Sequence, residues 1–191
     1  MGVEAASGFE PLNKGFADLP LNHLGTPPAK RHCTVARILE RMADIHEYSA
    51  SVTWTGGRDG SGTAKSGDAT HALKVPAEFG GPGGGTNPEE LLTTAIASCF
   101  SITFGIMAAA RKLPYVDIQT QATGEVHQPN AATFIFQKIV LKPTITLGAA
   151  ATDDDAKLAE DLAHKADAYC LITNAVRGKV EIAVAPIIKR G

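Results

Sequence analysis

Three residues stand out as able to do chemistry: Cys33, Cys99 and Cys170. A thiol can act as a nucleophile, a metal ligand or half of a disulfide, and the thiolate is the reactive form in each case. Taken singly, each has a plainer use. Cys99 lies among Phe100, Phe104 and Met107 in an uncharged stretch, where a cysteine serves by default as a small hydrophobe. Cys170 follows Tyr169 at the end of a polar helical segment, and Cys33 sits in the basic stretch Arg31-His32-Cys33. An odd count of cysteines in 191 residues is not a secreted disulfide scaffold, so reduced thiols in a cytoplasmic setting are expected. No CxxC motif occurs.

Other chemistries find less support. His71, His127 and His164 are scattered, without the short ligand spacing of a zinc site, so no metal is expected. The glycine-rich loop at 79–85 lacks a following lysine. Glu89 and Glu90 behind it would repel a phosphate. No G-x-S-x-G elbow is present. A net charge of −2 argues against nucleic acid as a partner, and 6% aromatic residues leave little for base stacking.

The elements that must position these residues follow from periodicity and punctuation. Pro11, Pro20, Pro27 and Pro28 make the first 33 residues loop-like, and Val35, Ile38, Leu39 and Met42 suit a short helix over 34–44. No apolar leader is visible there. Residues 47–55 and 69–76 read as strands, separated by a turn-rich loop from Gly56 to Gly62. Asn87-Pro88 caps a helix, with Glu90 placed to close a capping box. That helix is expected to run from Glu89 to Lys112, about 36 Å. Its Leu91–Ala110 portion is 20 residues without a charge, long enough to span a membrane. Its hydroxyls and its solitary occurrence favour the buried central helix of a soluble domain. Strands are expected at 116–126 and 133–147, a second helix from Thr152 or Asp153 towards Cys170, and a last strand over 179–188 after Gly178. The order is α+β rather than regular βαβ alternation.

Four separated motifs then agree in order and spacing. TGGRDGSG (55–62), FGGPGGGTNPEELL (79–92), ASCF (97–100) and AYCLITNAVRGKVEI (168–182) together resemble the OsmC/Ohr family, closer to its organic hydroperoxide resistance branch. The resemblance covers residues 46–191 and leaves 1–45 as an N-terminal extension. Met42 is where a compact member would begin. It implies an α+β fold with antiparallel sheets around a long central helix, in an interlaced homodimer. It implies a thiol peroxidase acting on organic hydroperoxides, with Cys99 as peroxidatic thiol and Cys170 as resolving thiol. Arg58 takes the place of the activating arginine and Glu89 that of its carboxylate partner. No bound cofactor is implied; the reductant would be a lipoyl-type dithiol. A one-Cys peroxidase, or a non-catalytic redox-sensing or lipid-binding member, are the alternatives. Family members often carry Pro after the second Cys, where this chain has Leu171.

One geometric constraint is independent of the resemblance. Glu89 and Cys99 are ten residues apart, which on a straight helix is about 15 Å along the axis and roughly 280° around it. Either that helix is broken, or Glu89 serves the Cys99 of a partner chain; the second is the expectation here.

Overall fold

The structure is a computed structural model that describes residues 45–191; the short helix expected over 34–44, Cys33 and Met42 lie outside the described residues. Strands β1 (Ala50–Thr55), β2 (Ser61–Ser66) and β3 (Ala69–Leu73) form an antiparallel meander. β2 was not expected. Its sequence SGTAKS carries no large apolar residue, and its backbone pairing with both neighbours makes it a strand. A single 3₁₀ turn at Ala77–Phe79 leads through the glycine loop to α1 (Pro88–Ala110). Gly81 is obligatory in that loop, because a Cβ there would lie 2.2 Å from the Val75 carbonyl oxygen.

The Asn87 side chain caps α1 by accepting the Glu90 N–H at 2.8 Å. The expected capping box is not closed. The Glu90 carboxylate accepts the Thr86 hydroxyl at 2.8 Å, a donor on the preceding residue that competes for it. The helix stops at Ala110, two residues early, because Lys112 turns left-handed (φ 53°) ahead of Pro114.

After α1 come β4 (Tyr115–Asn130) and β5 (Thr133–Leu147), a long antiparallel hairpin. β5 buries Ile139, Leu141, Ile145 and Leu147 on one face, the period-two pattern of a half-covered strand. Helix α2 (Asp153–Tyr169) starts from a capping box between Thr152 and Asp155. A short helix, α3 (Leu171–Val176), follows directly and was not expected. The last segment was expected as one strand; it is two, β6 (Glu181–Val184) and β7 (Ile187–Arg190), parted at Ala185-Pro186. Both run parallel to β5, so this sheet is mixed rather than wholly antiparallel. The helical crossover through α2 and α3 turns the chain round and brings it back in the direction of β5.

The core lies between that sheet and the helices. Ile96, Phe100, Phe104 and Ala108 form the buried stripe of α1, packed with β5 and with Ala159, Leu162, Ala163 and Ala166 of α2. The α1 helix is therefore not enclosed on every side in this chain. Ile102 and Ile106 are 63% and 65% exposed on its other face. The β1–β3 sheet is likewise uncovered. Every residue of β1 is exposed, and its main link onward is the Leu73–Thr86 bridge at the end of β3.

Candidate redox site

Cys99 lies midway along α1, half-buried beside the core residue Phe100. Cys170 is fully buried at the joint of α2 and α3, where the backbone is extended (φ −66°, ψ 116°). Because α3 packs against α1, Cys170 lies near enough to Cys99 for the two thiols to influence each other's ionisation. Both cysteines are free. The fold thus brings near each other two thiols that are seventy-one positions apart in the chain.

The joint that holds Cys170 is built from its neighbours. Cys170 is the N-cap of α3, and its sulfur accepts the Thr173 N–H at 3.3 Å. Asn174 Nδ2 donates to the Ala168 carbonyl at 3.0 Å, and Arg177 Nε donates to Asn174 Oδ1 at 2.9 Å. Arg177 also reaches back to the Asp167 backbone and carboxylate. These bonds tie the start of α3, its end and the last turn of α2 into one corner. Burial raises the Cys170 thiol above its ordinary value, and the neighbouring Cys99 thiol adds to the rise. Thr173 opposes both.

Arg58 and Glu89 lie elsewhere. Both line a cavity of about 830 Å³, walled in part by Trp54, Phe79 and Phe134. Phe79 and Phe134 meet edge to face, with ring centroids 5.1 Å apart. The Arg58 guanidinium donates to the Phe79 carbonyl, and among the described residues no ion pair joins it to Glu89. Cys99 and Cys170 are not among the residues lining this cavity. Glu89 and Cys99 sit on one unbroken helix, which removes the broken-helix alternative. One chain thus brings together Cys99 with Cys170, and Arg58 with Glu89, but not the two pairs with each other. Among the described residues no cluster of metal-ligating side chains occurs.

Thr173 is the site residue that the sequence did not single out. Its signal was there, since a side-chain acceptor three positions before an N–H is the spacing of an N-cap, and Cys170-Leu171-Ile172-Thr173 has it. Cysteine is outside the usual capping set, which hid the pattern.

A long helix packed on a mixed sheet, with two free thiols near the place where its middle meets a short further helix, defines an α+β domain. The OsmC-like protein family matches residues 81–185, and the chain belongs to that family. It is 37% identical over 150 residues to the uncharacterized protein YmaD of Bacillus subtilis, covering 78% of this chain and 99% of that one. It is 30% identical to an organic hydroperoxide resistance protein of Xanthomonas axonopodis, covering 71% and 91%. Among solved structures, the organic hydroperoxide resistance protein OsmC of Legionella pneumophila superposes with a TM-score of 0.60. It is 26% identical and covers 75% of this chain and 99% of that one.

Proposed function

We propose that this protein is a cysteine-based peroxidase that reduces organic hydroperoxides to alcohols. The observation that carries the proposal is the nearness of Cys99 and Cys170, two free thiols from distant parts of the chain on helices that pack together. The Cys99 thiolate attacks the distal peroxide oxygen. The O–O bond breaks, the alkoxide leaves as alcohol on gaining a proton, and Cys99 becomes a sulfenic acid. Cys170 then attacks the Cys99 sulfur, water departs and a disulfide remains, which protects Cys99 from further oxidation. A lipoyl-type dithiol returns the pair to thiols by exchange, and no bound cofactor takes part.

The substrate side is the cavity of Arg58 and Glu89. Trp54, Phe79 and Phe134 suit an alkyl chain, and Arg58 suits the developing negative charge. That cavity serves Cys99 of a second copy, so the working unit is a homodimer. Two observations support this arrangement: the uncovered β1–β3 sheet and the exposed Ile102 and Ile106 of α1. A three-stranded sheet without a covered face is marginal by itself. We place the protein in the cytoplasm, where reduced thiols persist.

The test is turnover of cumene hydroperoxide and of hydrogen peroxide with dihydrolipoamide, on wild type and Cys99→Ser. Wild type is expected to favour the alkyl peroxide and Cys99→Ser to be inert. Equal consumption of peroxide by both proteins rules the proposal out. A one-Cys mechanism would show turnover without a Cys99–Cys170 disulfide after one equivalent of peroxide.

A further inference from the structure

Thr173 is fully buried, yet its hydroxyl makes no hydrogen bond. A buried polar group without a partner is costly, and its persistence asks for a reason. Among the described residues the other buried side-chain oxygens without a partner are Asp117 Oδ1 and Asp167 Oδ1, and each belongs to a carboxylate whose second oxygen accepts a hydrogen bond, whereas Thr173 has no second side-chain polar atom. Thr173 already gives its backbone N–H to the Cys170 sulfur. Its hydroxyl belongs to the residue whose N–H already reaches that sulfur, it favours the charged form of Cys170, and it bonds to no acceptor in the thiol state.

We infer that the Thr173 hydroxyl is a donor held for the Cys170 thiolate, making Thr173 a further residue of the resolving step. The inference rests on the peroxidase reading for its place in the reaction. Cys170 must lose its proton before it can attack, and a site that excludes water opposes that loss. The thiolate gains two donors from one residue, the N–H already in place and the hydroxyl once it rotates. The step then balances. The S–S bond forms, the S–O bond of the Cys99 sulfenic acid breaks, and the oxygen leaves as water with the proton that Cys170 gave up. In the reverse direction, when the external dithiol attacks the Cys99 sulfur, the same donors stabilise Cys170 as the leaving thiolate. The elements packed on α3 are α1 and α2. From α1 the titratable group facing Cys170 is Cys99. The charged groups of the corner, Asp167 and Arg177, are paired with each other at 3.3 Å.

The experiment has two arms. In a Cys33→Ser, Cys99→Ser background, Cys170 is the one thiol left, and its titration is followed by the ultraviolet absorbance of the thiolate. Thr173→Val is expected to move the midpoint up by about one pH unit, a tenfold loss of thiolate. Thr173→Ser is expected to return it. Thr173→Ala serves as a second hydroxyl-free variant. In the chain with all its thiols, disulfide formation after cumene hydroperoxide should slow about tenfold at neutral pH in Thr173→Val, and the gap should close as the pH is raised. An unmoved titration in both hydroxyl-free variants overturns the assignment of Thr173. A wild-type chain that forms no disulfide with peroxide overturns the resolving step on which the inference rests, and a wild-type chain that does not turn over the alkyl peroxide overturns the peroxidase reading itself.

Discussion

At the scale of single residues, Cys170 is governed by burial. Its neutral thiol is tolerated in the core and its anion is not, so its pKa lies above the ordinary value of 9.0. The linkage follows. Below pH 9 the thiol is protonated folded and unfolded, and the native state bears no penalty. Above pH 9 the unfolded chain releases the proton more readily than the folded one, so the unfolded state binds fewer protons and stability falls as pH rises. Cys170→Ala removes the titration but leaves a small cavity. The reduced wild-type chain should therefore be the more stable of the two at pH 7, and its advantage should shrink as pH rises through 9 towards the raised value. Urea unfolding of both proteins across that range measures it. A constant gap would mean that Cys170 ionises as freely in the folded chain as in the unfolded one.

At the scale of elements, α1 has to pass close over the hairpin, because its first turns carry Glu89 and its middle carries Cys99. Gly124 of β4 permits that approach. A Cβ there would fall 2.6 Å from Phe136 Cζ and 2.7 Å from Thr93 Oγ1 of α1. Both are side-chain atoms that can give way, so Gly124→Ala should cost about 1 kcal/mol, the low end for overpacking. It should also lower peroxidase turnover by displacing the helix start. Urea midpoints and the alkyl peroxide assay on the same preparation would show both effects, and an unchanged midpoint would mean that the contact relaxes freely. The elements legible in the sequence are those whose local signals agree with their packing. Asn87-Pro88 marked the start of α1, Thr152 that of α2, and a run rich in Ile, Val, Thr and Phe marked β5. The elements missed are those made by pairing or by a single turn. β2 has no apolar pattern and is a strand only through its neighbours. α3 is six residues long, too short to show a period, and it sets the corner that holds Cys170. The break at Ala185-Pro186 was visible as a proline, but nothing local tells a broken edge strand from a continuous one. For the site, the motifs marked the four residues one by one. The resemblance already joined Cys99 with Cys170 and Arg58 with Glu89, and helix spacing already kept Glu89 from Cys99; the fold was needed for the unbroken helix, the shared cavity of Arg58 and Glu89 and the corner around Cys170.

At the scale of the whole molecule, the two pairs must meet for the proposed chemistry to work, and one chain does not bring them together. Glu89 and Cys99 are about 15 Å apart along the axis of an unbroken helix, so no side-chain motion closes the gap. A two-fold dimer solves this if Arg58 and Glu89 of each copy face Cys99 of the other, since an isologous interface then completes two sites at once. The exposed Ile102 and Ile106 and the open face of β1 supply the apolar surface such an interface requires. The arrangement makes a prediction that separates it from a site contained within one chain. Cys99→Ser and Arg58→Ala should each be nearly inactive alone. Unfolded together in equal amounts and refolded, half of the dimers should contain one chain of each kind. In such a dimer one site has lost both residues, and the other joins the intact Cys99 of one chain to the intact Arg58 of its partner. Random pairing should then restore about a quarter of wild-type activity. If each site lay within a single chain, every chain in the mixture would carry a defect in its own site and the mixture would stay as inactive as its parts. Refolding Cys99→Ser with Cys99→Ser, Arg58→Ala provides the matched control, because no pairing of those chains supplies a Cys99.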